Sequence, residues 1–162
     1  MIRAAASCCL LPLRICLVLI VCTTPPLQAE DWLQLKGTPT HSGNVADRKI
    51  ETPLSLTAAI PLTDALFTSP VISHNKVFVI DGSGVVFAID AKTNKVVWKF
   101  ATRGGAGNCN NVASPAVIDD YLHVGTTAGY YYVLNVNDGT VVKEIDCQEP
   151  IFSAPAVKDD RV

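Results

Sequence analysis

The chain has 162 residues, 49% of them hydrophobic, and a formal net charge of −2, which puts it among globular chains and outside the disordered class. Its 13 Lys and Arg are scattered and form no basic cluster of the kind a phosphate-binding surface needs, so the balance argues against nucleic acid as a partner.

Residues 1–29 read as an export signal. Arg3 gives a positive start, Leu10 to Cys22 is apolar apart from Pro12 and Arg14, and Pro25-Pro26-Leu27-Gln28-Ala29 ends in a small residue suited to cleavage before Glu30. The uninterrupted core from Ile15 to Cys22 falls short of the roughly 20 apolar residues a membrane span needs. A cleaved signal is therefore expected in preference to an anchor, with no span afterwards and an exported protein in the periplasm or outside the cell. Cys22 raises lipidation as an option, but Val21 before it is bulky. Cys8, Cys9, Cys16 and Cys22 leave with the signal, so only Cys109 and Cys147 remain. In an exported protein these two can form a disulfide, or stay unpaired in separate connecting segments; both readings are open.

Residues 30–53 form a polar, turn-rich, irregular lead-in whose sharpest feature is Asp31-Trp32. A Trp so early in a mature chain is expected to plug the domain surface. Residues 54–62 match, without a gap, the stretch ahead of Pro155: Ala58 falls on Lys143, Ile60 on Ile145 and Leu62 on Cys147. The run therefore resembles the last strand of a unit whose other strands are missing. It is expected to act as a closing outer strand, completing an edge that is costly to leave unpaired.

Residues 69–101 form a complete unit. Ser69-Pro70-Val71-Ile72 opens it, Lys76 to Asp81 and Val85 to Asp90 follow, and Lys95 to Phe100 closes it with Trp98. His74-Asn75, Asp81-Gly82-Ser83-Gly84 and Thr93-Asn94 supply the three reversals. Residues 114–147 repeat the pattern with Pro115 in place of Pro70, Gly129 of Gly84, Asn135 of Asp90, Gly139 of Asn94 and Lys143 of Trp98, in unbroken register. A third opening at residues 153–162 begins with Ser153-Ala154-Pro155. Four β-rich runs in a period near 45 residues predict an all-β fold of β-propeller blades with four antiparallel strands each. Two such blades are fewer than a ring requires, so the chain is expected to be the N-terminal fragment of a longer propeller.

The segment from Ala88 to Phe100, with Ala88-x-Asp90, the Thr93-Asn94 turn and Trp98, resembles the PQQ-like (pyrroloquinoline quinone type) propeller repeat, as do Ser69-Pro70-Val71-Ile72 and Gly82-x-Gly84. Two departures stand out: Asn94 occupies the usual turn glycine, and Lys143 the usual Trp. The resemblance implies that the Asp caps the turn while the Trp wedges between blades. It covers residues 54–162 and speaks for fold far more than for function, because the repeat builds the blade and any site lies on loops at the ends of the ring.

The quinoprotein dehydrogenases of that family hold their cofactor with calcium, a catalytic Asp and, in many members, a vicinal disulfide. No such set stands in the mature sequence, so no PQQ or calcium is expected here, and no catalytic, cofactor or metal residue is assigned. Arg103-Gly104-Gly105-Ala106-Gly107-Asn108 precedes a strand instead of the helix a phosphate cradle requires. His41, His74 and His123 lack a second ligand at zinc spacing, and Ser and His have no triad context. Asp119-Asp120 and Asp159-Asp160 recur at one position of successive units, which makes them hairpin turns. In Tyr130-Tyr131-Tyr132, alternation sends the middle ring opposite its neighbours.

The resemblance thus implies a non-enzymatic binding or scaffold propeller of the cell envelope with protein partners, similar to the propellers that assist outer-membrane protein assembly. The alternatives are a PQQ- and calcium-dependent dehydrogenase of alcohols or sugars, and the sensor ectodomain of a membrane kinase.

Overall fold

A computed structural model describes residues 30–45, 49–50, 52–104, 109–158 and 161–162. The export-signal reading of residues 1–29 and the turn at Asp159-Asp160 lie outside the described residues. The described part has no helix and two four-stranded antiparallel sheets. In the first sheet, β1 (Val71–Ser73), β2 (Lys76–Ile80), β3 (Val85–Asp90) and β4 (Val96–Ala101) pair in sequence order; β5 (Ala116–Ile118), β6 (Tyr121–Gly125), β7 (Tyr130–Asn135) and β8 (Val141–Asp146) do the same in the second. The fold is all-β, with two propeller-type blades.

The two sheets repeat one another down to their irregularities. Each third–fourth strand pair shifts register at the same place, between Ala88 and Ile89 in one sheet and Val133 and Leu134 in the other. Asn94 and Gly139, equivalent residues of the last turn, both take positive φ, at 56° and 73°. The left-handed region suits Gly and tolerates Asn, which explains why Asn94 can stand where the repeat usually has glycine.

Alternation along the strands sets two faces. Val71, Phe78, Ile80, Val86 and Ala88 of the first sheet meet Val117, Leu122, Val124, Tyr132 and Leu134 of the second in one buried cluster. Phe100 packs edge-on against Tyr132, with ring centroids 5.3 Å apart. Innermost strands touch as well: the Ser69 amide donates to Ser114 Oγ at 2.8 Å, two residues at the same position of successive units.

The opposite face of the first sheet carries Val79, Phe87 and Ile89, against which Ile60 and Leu62 pack. The run 54–62 forms no strand with either of the two sheets; as a closing outer strand it would pair with the strands of a further blade, which are not among the described ones. A strand needs a neighbouring edge to share its amides with, and this run lies on a sheet face, where its side chains alone find partners. Residues 153–158 likewise form no strand ladder; only an isolated bridge joins Lys158 to Arg161. Among the described residues no helix is long and apolar enough to cross a membrane.

Candidate functional site

Antiparallel connectivity gives each sheet two ends with different chemistry. At one end lie the turns between second and third strands, Asp81 to Gly84 and Thr126 to Gly129, together with the segments that lead into each innermost strand. At the other lie the first-to-second and third-to-fourth turns.

The first end is organised by Asp81 and Asn111, both fully buried. Asp81 Oδ2 accepts from the Thr63 amide at 3.0 Å, the Thr63 hydroxyl at 2.6 Å and the Asp64 amide at 3.0 Å. Its Oδ1 accepts from the Ser83 amide, the Ser83 hydroxyl and the Val85 amide at 3.1, 2.8 and 3.0 Å. Burial alone would push this carboxyl up, but the bonds from Thr63, Val85, Ser83 and Asp64 outweigh it and hold the group below the usual carboxylate range. Asn111 joins the two sheets, donating from Nδ2 to Gly82 O at 3.2 Å and accepting the Thr127 amide on Oδ1 at 3.0 Å. Neither residue stood out in the sequence, because an isolated Asp in a turn and an Asn in a connecting loop carry no spacing signal.

Three apolar residues recur on this end, each three positions before a motif proline, and all are exposed: Phe67 at 54%, Val112 at 41% and Phe152 at 64%. Because they occupy one position of the repeat, successive units present them from the same end.

At the opposite end, Asp90 Oδ1 caps its turn by accepting from the Lys92 amide, the Thr93 amide and the Thr93 hydroxyl at 3.0, 2.7 and 2.9 Å. The Thr93 bonds hold its carboxyl below the ordinary range. Asn135 takes the same place and accepts the Asn137 amide at 2.8 Å. Trp98 Nε1 donates to Val136 O of the second sheet at 3.1 Å, and its ring lies over Gly139. In the second sheet Lys143, at the position of Trp98, is exposed, and no ring fills that place.

The lead-in crosses the innermost strands. Trp32 exchanges two backbone bonds with Ile72, at 2.7 and 2.8 Å, and Leu33 O accepts the Val117 amide at 2.6 Å. Gln34 Oε1 then accepts the Val157 amide at 3.2 Å. Ile72, Val117 and Val157 each stand two residues after Pro70, Pro115 and Pro155, so consecutive lead-in residues meet three equivalent positions. The Trp32 backbone thus reaches the innermost strand of the first sheet.

The first-to-second turns hold a constellation that sequence spacing gave no reason to expect. Ser73 Oγ lies 3.3 Å from Asp31 Oδ2 and 2.9 Å from His74 Nδ1, while His74 Nε2 lies 3.0 Å from Asp120 Oδ1. Although a Ser, a His and an Asp are in line, Ser73 is only 2% exposed and already has two partners, so it offers no accessible nucleophile. On the second sheet's outward face, His123 Nδ1 meets Tyr131 Oη at 2.9 Å, whereas Tyr130 and Tyr132 pack into the main core.

Cys109 and Cys147 are free, exposed thiols in the structure, so the pairing is not formed there. The Gly105 to Asn108 part of the glycine-rich loop lies outside the described residues. Among the described residues, no group of three or more His, Cys, Asp or Glu stands together as a metal site would require.

Comparison with known proteins matches residues 42–112 to the family described as outer membrane protein assembly factor BamB. The BamB of Legionella pneumophila (strain Paris) is 24% identical over 93 residues, covering 57% of this chain and 23% of that protein. The crystal structure of BamB from Moraxella catarrhalis superposes with a TM-score of 0.54 at 27% identity, covering 62% of this chain and 30% of the other. A quinohemoprotein alcohol dehydrogenase from Pseudomonas putida HK5 superposes with a TM-score of 0.60 at 16% identity, over 80% of this chain and 22% of that one; at that identity the likeness is one of fold. The chain spans under a third of the length of each of these proteins.

Proposed function

Starting from a chain that carries PQQ-like β-propeller repeats, we propose that it is a non-enzymatic scaffold of the cell envelope that docks protein partners and works without PQQ or calcium. The observation that carries this reading is the exposed apolar residue repeated ahead of each innermost strand, Phe67, Val112 and Phe152. Exposed apolar side chains are what protein partners bury, and a repeat that presents one per unit at the same position suits a partner that spans several blades. The matched relatives are named for outer membrane protein assembly, which supports an envelope location and partners drawn from that process.

The test is photo-crosslinking in cells from a reactive side chain placed at Val112 or Phe152, with Lys92 at the opposite end as control. Adducts with an outer-membrane assembly protein from the first two sites and none from the third are expected. Equal labelling from both ends would overturn the docking surface, and dye-linked oxidation of an alcohol or sugar on adding PQQ and Ca²⁺ would overturn the non-enzymatic reading.

A further inference from the structure

The line Asp31, Ser73, His74, Asp120 joins three elements: the lead-in, the first-to-second turn of the first sheet and the equivalent turn of the second. Its members are 42 and 46 residues apart across the two long-range steps. The proton positions follow by counting. Asp31 accepts only, so the bond to it uses the single Ser73 hydroxyl proton. With that proton committed, Ser73 Oγ can only accept from His74, which requires a proton on Nδ1. Asp120 also accepts only, so the 3.0 Å contact to it requires a proton on Nε2. All three bonds exist together only when both ring nitrogens carry protons.

A neutral ring must give one of them up. Protonated on Nδ1 alone, it turns a lone pair toward the Asp120 carboxylate. Protonated on Nε2 alone, it must accept the Ser73 proton, and the bond to Asp31 is lost. Either way one side-chain tie is lost, from the lead-in or from the second sheet to the first.

The other charged groups around the turn leave this count unchanged. Lys76 on β2 reaches Asn137 Oδ1 at 3.4 Å. Asp90, on the turn packed against Asn75 through the Ala91 amide, accepts from Lys92 and Thr93. Asp138 is taken by the Thr140 amide and hydroxyl at 2.9 and 2.7 Å. Asp119 precedes Asp120 on the same turn, and Glu30 precedes Asp31.

We infer that Asp31, Ser73, His74 and Asp120 form a proton-operated latch that fastens the lead-in and the second sheet to the first when His74 is protonated and slackens when it is not. This requires nothing of the docking reading above. His74 holds φ at +53°, so His74→Asn keeps the turn conformation, which Asn tolerates, while removing the second ring nitrogen. Asp120→Asn changes only an exposed end of the line.

The experiment is amide hydrogen exchange of the full chain from pH 5 to pH 8, corrected for intrinsic rates, together with ring ¹⁵N shifts of His74. The ring shifts report which nitrogens carry protons at each pH, and protection is expected to follow the doubly protonated form. Protection at the Trp32 and Ile72 amides, which close the adjacent backbone bridge, is expected to fall about two- to fivefold on going to pH 8, as suits one exposed charge-assisted bond. In His74→Asn the protection should be flat with pH, and in Asp120→Asn the step should shrink. A step that persists unchanged in His74→Asn, or wild-type protection that does not follow the protonation of the ring, would overturn the latch.

Discussion

The Gln34 side chain closes a two-bond ring with the backbone of Val157, 123 residues away, accepting its amide at 3.2 Å and donating to its carbonyl at 3.5 Å. A primary amide has the donor and acceptor of a peptide group, so the side chain does for the third opening what the backbone of Trp32 does for Ile72. Both residues are buried, and losing the side chain strands polar groups of Val157 away from water. Gln34→Ala is expected to cost about 1–3 kcal/mol, the price of an unpaired buried donor or acceptor. Gln34→Glu should cost at least as much, because a carboxylate cannot donate to the Val157 carbonyl. Urea unfolding checks both values; unchanged stability in Gln34→Ala would show that the strap has no role in holding the third opening.

Trp98 and Gly139 define the contact between sheets at the opposite end. A Cβ on Gly139 would lie 2.6 Å from Trp98 Cε3, and the residue holds φ at +73°. Gly139→Ala therefore meets left-handed strain and a ring that must move, together about 2–4 kcal/mol. Gly43→Ala has a similar φ, +61°, but its nearest neighbour would be Lys36 Cβ at 3.5 Å, so it should cost only the strain. Adding Gly139→Ala to Trp98→Ala should cost less than the sum of the two, since the clash disappears with the ring. Thermal denaturation of the two singles and the double mutant measures this, and strict additivity would count against the contact.

How much of this was legible beforehand follows from what repeats. The strands, the turns at Asn94 and Gly139 and the paired faces recur at fixed spacing from Pro70 and Pro115, and the period carried them. The polar ties did not recur. Gln34, Asn111 and the line from Asp31 to Asp120 each join residues far apart in sequence through one copy of a side chain, so no periodicity betrays them. Ile60 and Leu62 match Ile145 and Cys147 in kind, but pairing depends on an available edge, and neither of the two sheets offers this run one. That is a property of the assembled sheets, and alternation along one run does not encode it.

His123 sets an acid limit on stability. It is only 7% exposed, and its Nε2 has no partner, so burial holds the ring below its ordinary range. Below about pH 6.5 the unfolded chain takes up a proton that the folded chain refuses, so stability should fall as pH drops from there toward the folded value. Its partner Tyr131 is pushed up to about 12, by burial first and then by Cys147. Replacing both with apolar groups, His123→Leu with Tyr131→Phe, removes the orphan Nε2 together with the Nδ1–Tyr131 Oη pair and should stay within about 1 kcal/mol of wild type at pH 7. The double variant should also lose the limb below pH 6.5, which denaturation at a series of pH values reads directly; a limb of undiminished slope would mean that some other group sets it.

Asp81 sets a second limit further into acid, and its sign is the same for a different reason. Its six bonds favour the ionised form and hold the carboxyl below the ordinary range despite burial. The stabilisation is therefore complete above the unfolded value of about 3.9 and is lost as pH falls through the folded one. Asp81→Asn keeps the shape but replaces one acceptor oxygen with a donor, setting an NH₂ against either the Thr63 and Asp64 donors or those of Ser83 and Val85. A loss of about 2–4 kcal/mol at pH 7 is expected from stranding buried donors that had met a charged acceptor. In the second sheet Thr126 occupies this position, with its hydroxyl near both the Tyr130 carbonyl and amide at 3.1 Å, so Thr126→Ala should destabilise without adding pH dependence. Urea unfolding of both variants between pH 3 and pH 7 separates the cases: the gap between wild type and Asp81→Asn should narrow below about pH 4, while the gap to Thr126→Ala stays constant. A constant gap for Asp81→Asn would mean that the carboxylate charge plays no part in holding the first end of the sheets.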